Sequence, residues 1–134
     1  MAEKASLHNA LNTYVHLGPD GTAIPLPVTE TFWQDLTSGA FDHHGPGRLV
    51  STYRFNADWN GWEKHPAGEE FIVLLQGSIE FVLEVNGRHE HVTLHAPGEF
   101  TLVPRDTWHT ANVAKEAMVL FVTAGDGTQH RPRD

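Results

Sequence analysis

The sequence contains no cysteine. Disulfides and thiolate metal sites are therefore excluded, and the absence fits a reducing compartment. Basic residues are scarce, with nine Lys and Arg against 17 Asp and Glu, for a formal net charge of −8. A general nucleic-acid or anionic-membrane partner would need a basic surface, so neither is expected. Long apolar runs are also missing. Runs such as Phe71 to Leu75 fall far below the roughly 20 residues that a membrane-crossing helix needs. No early basic-plus-apolar segment suggests a signal peptide. The expectation is a soluble, cytoplasmic protein. No Ser-His-Asp or Cys-His arrangement and no phosphate-cradling glycine loop is apparent, which moves nucleophilic hydrolysis and nucleotide chemistry down the list. Repeats, linkers and low-complexity stretches are absent too. The 134 residues read as one domain over 1–134, large enough to bury a core without staples.

What the chain has is a set of short alternating segments. Thr13 to Leu17 suits a strand, and Gly18-Pro19-Asp20-Gly21 a turn. Thr22 to Val28 is extended, with Pro25 and Pro27 marking an edge. Thr31 and Gln34 stand at capping-box spacing and open one short helix ending near Gly39, with Phe32, Trp33 and Leu36 as core contacts. From Arg48 onward strands follow one another. Leu49, Ser51, Tyr53 and Phe55 alternate with Val50, Thr52 and Arg54. Ile79, Phe81, Leu83 and Val85 alternate with polar residues up to Asn86-Gly87, a strong hairpin signal. Further strands are expected at 88–94, 100–103, 108–113 and 117–123. Residues 1–12 and 125–134 read as loose termini. Many short strands with one short N-terminal helix indicate an all-β sandwich or barrel.

Chemistry concentrates in Glu63 to Gly77, EKHPAGEEFIVLLQG. Glu63 and His65 stand two apart on an extended segment and so leave the same face. Glu70 follows the Pro66 to Glu69 turn, and His109 arrives at the start of a later strand. Two imidazoles and two carboxylates on neighbouring strands form a candidate metal site. Without sulfur, that set suits manganese, iron, nickel, copper or zinc better than calcium. One divalent transition metal per chain is expected. With Glu63 held back, His65, Glu70 and His109 have the make-up of a two-His-one-carboxylate triad, which leaves positions open. Glu63 is then free as a catalytic base. Whether Glu63 is a ligand or a base stays open at this stage. Glu69, in the turn, reads as solvated.

These residues resemble the cupin superfamily. Its first motif runs Gly, His-x-His, Glu, Gly, and its second Gly, Pro-x-Gly, His, Asn. Here His65, four residues, Glu70, six residues and Gly77 follow the first motif. Gly98, five residues, Pro104 and then His109 follow the second. The chain departs at Glu63 for the first histidine, Ala57 for the first glycine, Asp106 for the glycine after proline and Val113 for the asparagine. The resemblance implies a double-stranded β-helix, or jelly-roll barrel. It also implies a divalent metal held by the matching residues His65, Glu70 and His109, with Glu63 as a substitute able to coordinate.

Other features carry plainer readings. Tyr53, Phe55, Phe81 and Leu83 are candidate linings of an apolar substrate pocket. Trp62 and Trp108 point away from the Glu63 and His109 face, to pack between sheets or across a subunit interface. His89, His91 and His95 read as a solvated edge, and His43 and His44 as part of a surface loop. The apolar strand at Phe71 to Leu75, with the first strands, suggests a homodimer. The expected activity is metal-dependent chemistry on a small organic substrate, of dioxygenase type first and isomerase or lyase type second. The alternative is a non-catalytic module that senses a metal or small ligand.

Overall fold

The computed structural model describes residues 5–134. Of the expected loose N-terminus, 1–4 lie outside the described residues. The described residues form eleven strands. Strands β1 (Thr13–Leu17) and β2 (Ala23–Pro27) precede α1 (Phe32–Thr37) and a single 3-10 turn at Asp42–His44. Then come β3 (Arg48–Phe55), β4 (Gly61–Lys64), β5 (Glu70–Gly77), β6 (Ile79–Val85) and β7 (Arg88–Leu94). Strands β8 (Phe100–Val103), β9 (His109–Asn112), β10 (Ala117–Thr123) and β11 (Gln129–Pro132) complete the order.

Two antiparallel sheets result, ordered β2-β1-β3-β10-β5-β8 and β11-β4-β9-β6-β7. Their facing surfaces follow from the period-two alternation of the strands. Ile72 and Leu74 of β5, Val103 of β8 and Val119 and Phe121 of β10 meet Ile79, Phe81 and Leu83 of β6 and Ala111 of β9 in one buried cluster. A second cluster of Tyr14, Leu26 and Phe32 seats α1 on the β1-β2 end of the larger sheet. The β6-β7 hairpin turns through Asn86 and Gly87 at φ of 53° and 76°, and pairs Val85 with Arg88. Those positive values are what a two-residue hairpin turn demands and what Asn-Gly supplies. Gly77 sits at φ 84°, where a Cβ would collide with the Glu116 carbonyl. Proline-bearing β2 lies at an edge, as its missing donors require.

Several expectations are corrected. Residues 125–134 are not loose, because β11 pairs along the whole of β4, from Gln129 opposite Lys64 to Pro132 opposite Gly61. Arg131 fastens it, lying over the rings of Trp62 and Trp108 and pairing with Glu84. Arg133 donates to the carbonyls of Trp59 and Ala111. The docking thus uses cations on aromatic faces, which an apolar-periodicity reading does not register. Trp62 and Trp108 accordingly lie on the outer side of the smaller sheet with Arg131 and Lys64, not between the sheets. Residues 9–12 are also fastened, with the Ala10 carbonyl accepting from the Thr52 hydroxyl at 2.6 Å. The capping box is not formed: Thr31 makes no side-chain cap, and its hydroxyl turns to Asp35 instead. Trp33 stays 41% exposed, since Phe32 takes the place beneath the helix.

Candidate metal centre

The two sheets deliver the four candidate donors to one point. Glu63 of β4 is the cross-strand partner of His109, the first residue of β9. His65 follows β4 directly. Glu70 opens β5 in the other sheet. The backbone N–H of Asp106 donates to the His65 carbonyl at 3.0 Å, so the β8-β9 turn that carries His109 is tied to the strand that carries His65. Asp106 holds this position at φ 59°. The family pattern places glycine here, and aspartate is among the few other residues that tolerate the left-handed region.

Glu63, His65 and His109 each offer a donor atom within 4.8 Å of the other two. Glu70 lies closer still to the imidazoles. Its Oε1 is 3.1 Å from His109 Nε2 and its Oε2 is 3.5 Å from His65 Nε2. Glu63 Oε1 stands 3.7 Å from His65 Nε2 and 3.9 Å from His109 Nε2. Bonds of about 2.1 Å around one ion put neighbouring donors about 3.0–3.4 Å apart. The Glu70 contacts fall near that spacing, and the Glu63 contacts lie just outside it.

Hydrogen bonding around the site fixes which atoms face inward. His109 donates from Nδ1 to the Thr107 carbonyl at 3.0 Å. His65 Nδ1 is 2.8 Å from the Thr128 hydroxyl, which spends its own hydrogen on the Gly125 carbonyl. Nδ1 of His65 is therefore the donor. In each neutral imidazole the lone pair then sits on Nε2 and points into the site. Thr123 donates to Glu70 Oε2 at 2.5 Å. Left over are His65 Nε2, His109 Nε2 and Glu70 Oε1, all buried and without a hydrogen-bond partner. Lone pairs turned toward one another in a dry interior repel, and a cation among them removes the penalty. The donor set fits one divalent ion on this observation.

A proton is the other cation that can serve. Burial would pull the His65 imidazole down, but hydrogen bonds and charge from Glu63 and Glu70 outweigh it and carry it up to about 9. Burial would push the Glu70 carboxyl up, but His109 and His65 hold it at about 2.

The candidate pocket residues divide. Phe81 and Leu83 are buried members of the central core, and Phe55 packs against its edge. Tyr53 is 44% exposed and stacks on Phe55 at 4.9 Å between ring centroids. Its ring also meets Trp33 of α1, so it is half open to solvent beside the helix. Trp59 stands nearer the site, with its ring centroid 6.0 Å from that of His109 and its indole N–H buried without a partner. His89 and His91 lie exposed on edge strand β7, and His43 and His44 form the 3-10 turn. The sequence reading missed Thr107, Thr123 and Thr128, which hydrogen-bond the candidate ligands. Only cross-strand register and the docking of β11 reveal them.

Residues 50–124 match the family model described as Cupin domain, more than half of the chain. The protein belongs to the cupin family. No curated relative matches the sequence. Among solved structures, oxalate decarboxylase from Bacillus subtilis, described with Mn(II) centres, is 12% identical with a TM-score of 0.54 over 71% of this chain and 26% of that one. Peruvianin-I, a cysteine peptidase from Thevetia peruviana latex, is 16% identical with a TM-score of 0.52 over 64% and 56%. Hydroquinone 1,2-dioxygenase from Sphingomonas sp. TTNP3 is 19% identical with a TM-score of 0.49 over 58% and 60%. This chain thus spans 60% or less of each of these three. The first two likenesses, with TM-scores above 0.5, bear on the fold alone. Their named activities differ from one another, so fold does not select a reaction.

Proposed function

We propose that the protein is a metal-dependent enzyme acting on a small organic molecule, of dioxygenase type first and isomerase or lyase type second. The observation that carries this reading is the convergence of His65 Nε2, His109 Nε2 and Glu70 Oε1, buried and unpartnered. His65, Glu70 and His109 would hold one divalent transition metal. Glu70 is the fixed carboxylate, clamped by Thr123. Glu63 is the freer one: it is partly exposed, stands farther from both imidazoles, and has its Oε2 3.4 Å from His130. Glu63 Oε1 would take a proton from a substrate brought to the site. When bound, the ion would supply Lewis-acid polarisation or oxygen activation at open positions. Trp59, Phe55 and Phe121 keep that side of the site apolar.

The tight filling of the barrel by Phe81, Ile72 and Val119 supports a second reading, a metal or small-ligand sensing module. The two separate on turnover. Metal-loaded protein is incubated with diketones, keto acids and phenols, with and without oxygen. Oxygen uptake supports a dioxygenase, and anaerobic turnover an isomerase or lyase. No turnover across the panel would favour the sensor.

A homodimer belongs to the same reading. Phe71 and Val73 of β5 share the outer face of the larger sheet with Phe100 and Leu102 of β8, by their register, and Leu75 is exposed farther along β5. Phe100 and Leu102 remain 55% and 54% exposed. A contiguous apolar sheet face of this kind marks a contact surface, and a second copy of the chain offers the matching face.

A further inference from the structure

The C-terminal strand lies beyond the residues that match the family model, which end at 124, yet it reaches two of the four candidate ligands. Thr128, one residue before β11, accepts from His65 Nδ1 at 2.8 Å. It can do so because its hydroxyl hydrogen is committed to the Gly125 carbonyl at 2.7 Å, in a turn that the Thr128 backbone N–H closes onto the same carbonyl. On β11 itself, His130 pairs with Glu63 across the strands and brings Nε2 to 3.4 Å from Glu63 Oε2. Other contacts hold this segment without using a candidate ligand. They are Arg131 over Trp62 and Trp108, and Arg133 on Trp59, Ala111 and Asn112.

We propose that residues 125–134 form a strap for the metal centre, with Thr128 as a positioning residue that sets the tautomer and orientation of His65. The inference rests on the metal-centre reading. A ligand histidine binds through Nε2 only when Nδ1 carries the hydrogen, and the partner of that hydrogen also limits ring rotation. Removing such a partner characteristically costs about 10–100-fold in metal affinity. Coupling is reciprocal. If the docked strap favours the ion, the bound ion favours the docked strap.

The test uses the full chain with Zn(II) as the probe. Affinity is measured by competition against a chelator, and strap docking by hydrogen exchange of the backbone amides at 129–131. Thr128→Val keeps the side-chain shape and removes the hydroxyl. It is expected to weaken Zn(II) binding about 10–100-fold, while Thr128→Ser restores most of the affinity. Zn(II) is expected to slow exchange at 129–131 in the wild type and to do so less in Thr128→Val. The thermal midpoint of the metal-free variants is the control, because a merely structural role would lower that midpoint and leave affinity in the folded protein unchanged. Equal Zn(II) affinity in wild type and Thr128→Val, failure of Thr128→Ser to recover it, or exchange indifferent to Zn(II) would overturn the strap. Wild-type protein that takes up no Zn(II) would instead defeat the metal-centre reading, and the strap with it.

Discussion

Glu63 and His109 face each other across β4 and β9, one residue pair in register, with Glu63 Oε1 3.9 Å from His109 Nε2. In the family pattern a histidine stands at this place. A carboxylate here adds negative charge to a site that already holds Glu70, and its outer oxygen meets His130. The pairing places Glu63 beside the proposed ion without fixing it as tightly as Glu70. Glu63→Gln is therefore expected to keep the metal while lowering turnover about 100-fold or more. Glu70→Gln is expected to lose the metal. Metal content and initial rates on the two variants, measured side by side, check this. Equal metal loss in both would make Glu63 a ligand instead.

The pH dependence follows from His65 and Glu70. His65 is raised from 6.5 to about 9, so in metal-free protein its contribution to stability is full below about 6.5 and disappears as pH rises through 9. Glu70 is lowered from 4.5 to about 2, so its contribution is full above about 4.5 and disappears as pH falls through 2. As far as these two groups decide, metal-free protein is most stable between those limits. A divalent ion takes the place of the His65 proton. Between pH 7 and 8 each ion bound should release close to one proton from His65, and apparent affinity should climb by up to about tenfold per pH unit until about pH 9. Calorimetry in buffers of different ionisation enthalpy reads the proton count. A count of zero would contradict the assignment.

Much of this was legible in the sequence, and the reasons are particular. The spacing of His65, Glu70 and Gly77 survives folding because a tight turn and one strand separate them. Asn86-Gly87 specifies its hairpin locally. What escaped was non-local. Thr123 reaches Glu70 only through the pairing of β10 with β5, and Thr128 reaches His65 only after β11 docks. That docking depends on Arg131 over two tryptophans, so a polar tail read as loose. Tyr53 alternates like a core residue, yet it stays 44% exposed beside Trp33 of α1.

Asp106 offers a test of the framework separate from the chemistry. Its φ of 59° costs most side chains about 1–2 kcal/mol. Asp106→Val is expected to lower the thermal midpoint by several degrees, as a loss of that size implies. Asp106→Gly, which adopts the angle freely, is expected to stay close to wild type and to keep the backbone bond to the His65 carbonyl. Thermal melts of both variants decide it. Equal midpoints would show that the turn does not hold this conformation.

The proposed dimer is tested at Leu102, which is apolar, exposed and not itself a candidate ligand. Leu102→Glu sets a charge against its own copy across the proposed interface. Light scattering at micromolar concentration should give a dimeric mass for wild type and a monomeric mass for the variant, with metal content unchanged. A monomeric wild type would remove the dimer from the account.

The most direct measurement is the metal content of the purified, reconstituted wild-type chain, by elemental analysis, beside His65→Ala and His109→Ala. The account predicts close to one divalent transition metal per wild-type chain and little in either folded variant. A metal-free wild type after reconstitution, or variants that retain the ion in full, would contradict it.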